Sequence, residues 1–490
     1  MIVSKLYQNP IFKKKGVKII WFVLLAILAI TPYIYAILFS PVSLDGSYYL
    51  SMVERIRDGL VPYSDFMMGY TPVLFYITAF VKNVFSIGIN YGFDLGFHFC
   101  FQVIVSFLLY KIALLLLLRK DYSYYVSIFY LLISFWITQY EFILEIPSLM
   151  WGLFAIYLAI RYQDKIIIFI LVGCIASISF LTKQFGFGYF FLIIYLILFN
   201  QNRWKQLILF VIGYSIPLIL ISNSLPEITN VFLGNGYGTQ LIDKSGGINI
   251  VDVLKRIGEA CFYIIYRVPV LLVALGLIHF IPPKQKKYAV LLLIGMAGFL
   301  LQFVFAMFIH YTLYIIPFAS LYIFLVLNNI QKNKIIFATY VFALLVVFVF
   351  SVEKNYNRVL SSNHEQRNNQ LMLAERIKQN IEPGKSIYIA DVRLVDLYYP
   401  MNVKPTNMGY TFGLALTERI HYKQLHEADY ILIYEIPDKQ NFDYLNSGRV
   451  VNYLNKILDK TVIEKNVFFD KDLKKYREQR IILYRNRHKV

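Results

Sequence analysis

Long apolar runs separated by short turns fill the chain as far as Ser351, and a polar, mixed pattern takes over from there to Val490. A run of about 20 apolar residues spans a bilayer as a helix. Such runs lie near 18–40, 94–118, 123–140, 146–160, 166–182, 186–200, 206–222, 262–281, 288–308, 312–328 and 335–351. The pattern predicts about eleven crossings. One further stretch, 72–87, is apolar but interrupted by Lys82, and reads as a helix lying along the membrane surface.

Beyond Ser351 the periods shorten. Segments 386–392, 429–436 and 480–486 read as buried strands, and 368–380 and 448–458 as helices between them. The expected fold class is therefore an α-helical polytopic membrane domain over 1–351, with a first outer loop at about 41–93, followed by an α/β domain over 352–490.

Composition agrees, because 58% hydrophobic and 16% charged residues exclude a soluble protein of this length. A net charge of +18 raises the question of nucleic acid, but no basic stripe is interleaved with exposed aromatics, so none is expected as a partner. The Lys and Arg residues sit instead in the turns, at 13–18, 119–120, 161–165, 203–205, 284–287 and 332–334, while the alternate turns around Glu141 to Pro147 and at His310 have none. By the positive-inside rule the N-terminus is cytoplasmic and the C-terminal domain outside, in a multi-pass plasma-membrane protein. The first apolar run is longer than a signal core and reads as a retained helix. Cys100, Cys174 and Cys261 fall in or beside apolar runs and imply packing rather than a disulfide framework.

Against this background a few polar residues stand out, all on the predicted outer side. Asp45 comes where the first apolar run ends, and Tyr49, Met52, Val53, Ile56 and Leu60 follow at helical spacing with Glu54, Arg55, Arg57 and Asp58 on the other face. That describes an amphipathic surface helix preceded by an acid at membrane depth, where ionisable groups are costly and mark function. Glu141 and Glu145 sit between two apolar runs with no basic neighbour. Lys183 lies on the side where basic residues are scarce, and would hold an anionic headgroup or phosphate. His310 and Tyr311 occupy the short turn between the ninth and tenth runs and can reach the same anion. The glycine-rich segment 233–240 reads as a lid or a connector, and Asp391 as a turn acid without chemistry. No nucleotide-binding motif and no metal-ligand spacing is present; a divalent metal is compatible with the acids, but no motif requires one. The set points to a substrate already carried by the membrane as a lipid phosphate.

In its order of features the stretch from Ile19 to Leu220 resembles the GT-C superfamily of membrane glycosyltransferases, in the branch of protein O-mannosyltransferases and aminoarabinose lipid A transferases. Asp45, the aromatic Tyr48 and the helix to Gly59 match the start of that branch's first outer loop, Gly59 to Tyr63 its Pro-Tyr turn, Glu145 its later acid, and Thr182 with Lys183 its Thr-Lys-Gly-like motif. Three positions depart from it: Gly46 replaces a second acid, Thr71 a lysine, and Gln184 a glycine. The resemblance implies an inverting transferase that moves a sugar from a polyprenyl-phosphate carrier to an envelope glycan, lipid or protein acceptor on the outer face. It implies Asp45 as base, Lys183 with Arg55 or Arg57, His310 and Tyr311 at the donor phosphate, and Glu145, Glu141, Tyr48 and Tyr63 positioning sugar or acceptor. The rival readings are a flippase of lipid-linked saccharides, which would carry midplane charges and repeats, and a non-catalytic scaffold.

Overall fold

The computed structural model describes residues 15–226 except 67, 69, 117 and 139, then 228, 254–259, 262, 281–305, 309–360, 363–389, 396–401, 404–405, 428–435, 458–470 and 475–486. The glycine-rich segment, the body of the run at 262–281, Asp391, Cys261 and all but the last residue of 448–458 lie outside the described residues.

Helices occupy the remaining apolar runs. They are α1 (Lys15–Phe39), α4 (Tyr91–Leu115), α5 (Lys120–Thr138), α6 (Glu145–Arg161), α7 (Ile168–Thr182), α8 (Gly188–Leu198), α9 (Arg203–Ser224), α10 (Pro283–Phe305), α11 (Ile316–Ile330) and α12 (Lys334–Leu360). Two more, α2 (Leu44–Arg57) and α3 (Val73–Val84), fill the loop between α1 and α4. Short 3₁₀ turns, Gln184–Phe187 and Ile309–Tyr314, precede α8 and α11. Among the described residues three helical segments, Ile20–Phe39, α4 and α9, are long and apolar enough to cross a bilayer unaided; α7, Gln184–Leu198, α11 and Lys334–Phe350 are apolar but shorter. The chain is a membrane protein.

Close helix contacts are made where side chains are smallest, as in membrane bundles generally. A Cβ on Gly213 would stand 2.0 Å from the Ile170 carbonyl oxygen, and one on Gly173 2.2 Å from that of Phe210, so α7 and α9 cross backbone to backbone. Polar side chains inside the bundle bond to each other: Tyr130 donates to Gln102 Oε1 (2.5 Å), and Tyr33 Oη lies 2.8 Å from Ser134 Oγ, joining α1, α4 and α5.

Two expectations for the first loop need correction. Asp45 does not precede the helix: Ser43 is the cap, its Oγ accepting the Gly46 N–H (3.0 Å), and Asp45 stands in the first turn of α2, where the helix dipole favours an acid. The second is the helix expected to lie along the membrane surface, whose Lys82 is turned inward. It is fully buried, with Nζ 2.7 Å from Glu54 and 3.2 Å from Asp94. On the charged face of α2 Arg55 is likewise covered, at 4% exposure, while Asp58 stays exposed.

The polar portion forms α13 (Asn363–Lys378), β1 (Ser386–Ile389), α14 (Tyr398–Met401), β2 (Lys404–Pro405), β3 (Tyr430–Glu435), β4 (Leu458–Asp470) and β5 (Lys475–Asn486). One five-stranded sheet runs β2-β1-β3-β5-β4. Strand β1 lies parallel to β2 and β3, while β5 is antiparallel to both β3 and β4. Charged residues that break the apolar alternation hid β4, which begins at Leu458 where a helix is predicted to end.

This portion is bonded to the first loop. Gln370 Oε1 accepts the Val42 N–H and its Nε2 donates to the Val42 carbonyl, each at 2.9 Å, and to Asp396 Oδ2 at 2.8 Å. Arg367 donates to the Leu38 carbonyl. The Tyr399 hydroxyl enters the buried Lys82–Asp94 group, accepting from Lys82 Nζ (2.8 Å) and donating to Asp94.

Because a side chain at Gly213 has no room, Gly213→Val should destabilise the bundle by about 1–3 kcal/mol. Thermal unfolding in detergent checks this, and a wild-type midpoint would contradict the close crossing of α7 and α9.

Candidate active site

Segments far apart in the chain meet at one end of the bundle. Glu145 opens α6 and Lys183 caps the end of α7, in extended conformation at φ −154° and ψ 134°. The two helices are clamped just inside by reciprocal serine bonds. Ser148 Oγ donates to the Ser179 carbonyl (2.9 Å) and Ser179 Oγ to that of Ser148 (2.7 Å). That clamp aligns the start of α6 with the end of α7, and Lys183 Nζ falls 3.1 Å from Glu145 Oε1 with exposures of 2% and 0%. His310, from the 3₁₀ turn before α11, brings Nε2 to 3.8 Å from the same oxygen.

Aromatic faces complete the cation's surroundings, an arrangement that stabilises a desolvated ammonium. Lys183 Nζ lies 4.3 Å from the Tyr70 ring centroid and 5.3 Å from that of Tyr311. Tyr311 is stacked on Phe185 at 4.2 Å. The segment carrying Glu141 and Glu145 is anchored to α4, with Tyr140 donating to the Leu95 carbonyl (2.8 Å) and His98 Nε2 2.8 Å from that of Ile143.

Asp45 faces this group from the first turn of α2. Burial raises its carboxyl above the ordinary carboxylate range; His310 and Lys183 pull it back, and Glu145 adds to the rise. His310 is pushed down by burial against the opposing pull of Glu145 and Asp45, which leaves a neutral imidazole at pH 7. Burial also raises the Tyr49 phenol, with Tyr70, Asp45 and Glu145 contributing, so Tyr49 belongs to the same surroundings.

Gly46 has a reason here. A Cβ at this position would stand 2.7 Å from Ser43 Oγ and 3.0 Å from the Tyr91 hydroxyl, so a second acid here would push against the Ser43 cap.

The structure thus gathers Asp45, Glu145, Lys183, His310 and Tyr311. Glu141 joins them: single ligand atoms of Asp45, Glu141 and His310 all lie within 4.8 Å of one another. Two carboxylates and a neutral imidazole suit a divalent cation, a convergence no spacing motif could show. Tyr48 and Tyr63 stand behind this layer. The Tyr48 ring is 6.1 Å from that of Tyr70, and the Tyr63 hydroxyl donates to the Tyr70 carbonyl (2.6 Å). The two arginines are directed elsewhere, contrary to their expected place beside Lys183. Arg55 packs over Phe66 at 5.2 Å and lines a cleft against the C-terminal portion, and burial lowers it to about 10. Arg57 is bound to Glu54 (2.6 Å) and Asn83 (2.9 Å).

No protein-family model matches the chain, and no curated protein matches it in sequence. Solved structures do. The crystal structure of ArnT from Cupriavidus metallidurans in the apo state superposes with a TM-score of 0.59 at 12% identity, covering 95% of this chain and 97% of that one. The same enzyme bound to undecaprenyl phosphate gives 0.57 at 12% identity over 94% and 98%. The chain has the ArnT fold. ArnT is a GT-C membrane glycosyltransferase, so the resemblance expected from the sequence holds for the fold along nearly the whole chain, C-terminal portion included.

Within this ArnT fold the Lys183–Glu145 pair makes its own demand. Removing one partner of a buried pair leaves the other charge uncompensated, at a cost of about 3–5 kcal/mol. Lys183→Met should therefore lower the unfolding midpoint in detergent sharply, and Lys183→Met with Glu145→Gln should recover much of it. Equal loss in the single and double variants would contradict the pair. Titration calorimetry with Mn²⁺ or Zn²⁺ checks the cluster: binding that is lost in His310→Ala is expected, and no binding by the wild type would show that Asp45, Glu141 and His310 hold no cation.

Proposed function

We propose that the protein is a glycosyltransferase that moves a sugar from a polyprenyl-phosphate carrier to a cell-envelope acceptor, on the outer face of the plasma membrane. The observation that carries this reading is the convergence of Asp45 with the buried Lys183–Glu145 pair and His310, in a fold shared with an enzyme solved with undecaprenyl phosphate bound. The alternation of basic and non-basic turns supports an outward-facing site and C-terminal domain.

In this mechanism the acceptor hydroxyl attacks the anomeric carbon as the bond from that carbon to the phosphate oxygen breaks. The acceptor's proton passes to Asp45, and the carrier leaves as polyprenyl phosphate beside the Lys183 ammonium. Sugar transfer passes through an oxocarbenium-like state, so positive charge at the leaving oxygen and a base on the opposite face are the groups required. One displacement inverts the anomeric configuration. Burial makes Asp45 a stronger base than an exposed aspartate. Glu145 acts through its neighbour: instead of touching the sugar, it holds Lys183 in place. Tyr70 and Tyr311, with rings 4.3 and 5.3 Å from Lys183 Nζ, help keep water from it.

The reading is tested with purified protein, a panel of polyprenyl-phosphate sugars and total envelope acceptors, assaying released polyprenyl phosphate. Acceptor-dependent release that disappears in Asp45→Asn is expected. Bound lipid-linked sugar with no turnover by folded wild type would instead favour a flippase. The pH profile follows from the same carboxylate. A base must be ionised, and the Asp45 pKa is raised, so kcat should fall on acidification at a pH above the ordinary aspartate value of about 3.9. A rate that holds constant down to that value would contradict Asp45 as the base.

A further inference from the structure

Helix α2 has two working faces. At 3.6 residues per turn, Ser47 and Glu54 lie about 200° and 180° round the helix from Asp45, on its opposite side. Both are held by groups that Tyr399 connects. The Tyr399 backbone N–H donates to Ser47 Oγ (3.1 Å), and Ser47 is fully buried. The Tyr399 hydroxyl accepts from Lys82 (2.8 Å) and from the Asn90 N–H (3.0 Å), and Lys82 in turn binds Glu54 at 2.7 Å. Beside these bonds the seam between α2 and the C-terminal portion opens into a cleft of about 550 Å³ lined by Ser51, Arg55, Lys378 and Tyr398. Tyr399 is thus a point at which the C-terminal portion holds α2 both directly, at Ser47, and through Lys82.

We propose that Tyr399 is a positioning residue for the reaction. Through Ser47 and the Lys82–Glu54 pair it fixes the rotation of α2, and with it the place of the Asp45 carboxylate against Lys183. The C-terminal portion is then part of the transfer machinery. This inference rests on the role given to Asp45 above. Its magnitude follows from geometry. A rotation of about 10° at a side-chain radius of about 5–6 Å moves the carboxylate by about 1 Å. A displacement of that size costs about a hundredfold in rate when reacting groups must be aligned.

Two variants remove the restraint while leaving every charged group in place: Tyr399→Phe deletes the hydroxyl, and Ser47→Ala deletes the acceptor on α2. Each should lower kcat by about 10- to 100-fold with KM for the lipid-linked donor unchanged, and Ser47→Thr, which keeps an Oγ, should recover most of the rate. Hydrogen exchange should quicken in the Leu44–Arg57 helix with the α4–α9 bundle unaffected, a readout that does not need turnover. Wild-type kcat and wild-type exchange in α2 would overturn the proposal. So would loosening of the whole bundle, which would make Tyr399 a general stability element. If the wild-type protein transferred no sugar, faster exchange confined to α2 would still establish the restraint, and only the function assigned to Asp45 would fail.

Discussion

The structure depends on keeping two opposite charges, Lys183 and Glu145, out of water at one end of a membrane bundle. Withdrawing such a pair costs several kcal/mol per ion, and the mutual attraction repays this only where the geometry is close. Much of the local architecture meets that condition. The serine clamp sets the ends of α6 and α7 side by side, His98 and Tyr140 tie down the approach to Glu145, and Tyr70 and Tyr311 offer ring faces to the ammonium. A pair that adds little net stability but is held this firmly fixes an ammonium in a low dielectric, where, in the proposed reaction, it would meet the departing phosphate.

Asp45 is supplied to this site by a helix that answers to two partners. Its front face meets the charge pair and Tyr49's aromatic neighbours; its back face meets Lys82, Asp94 and Tyr399. A second group of buried charges thus sits behind the first, joining α2, α3, α4 and the C-terminal portion. The fold shared with ArnT along nearly the whole chain fits this integration, because the C-terminal portion is included in the match.

Much of this was legible in the residues, for reasons that differ by region. The helices were readable because lipid imposes long apolar runs, and each of Asp45, Glu141, Glu145, Lys183 and His310 was conspicuous as a charge or imidazole breaking such a pattern at one rim. Their meeting was not readable, since they come from segments up to 265 positions apart (310 − 45). Tyr49 and Tyr70 were hidden because aromatic residues are common throughout this chain. Arg55 and Arg57 were misplaced because helical spacing shows which residues share a face but not what that face meets. Lys82 and Asp94 were visible as charges in apolar surroundings, yet only the fold reveals that they neutralise each other. Strand β4 escaped because its charged residues interrupt the alternation that announces a strand.

The central claim is that Lys183, held by Glu145, is the binding point for a lipid phosphate. Its most direct test is native mass spectrometry of the detergent-solubilised protein with polyprenyl phosphate and with the neutral polyprenol. The account predicts that wild type retains the phosphate and not the alcohol, and that the Lys183→Met, Glu145→Gln double variant, once its unfolding midpoint shows it folded, retains neither. Equal retention of phosphate by wild type and double variant would contradict it.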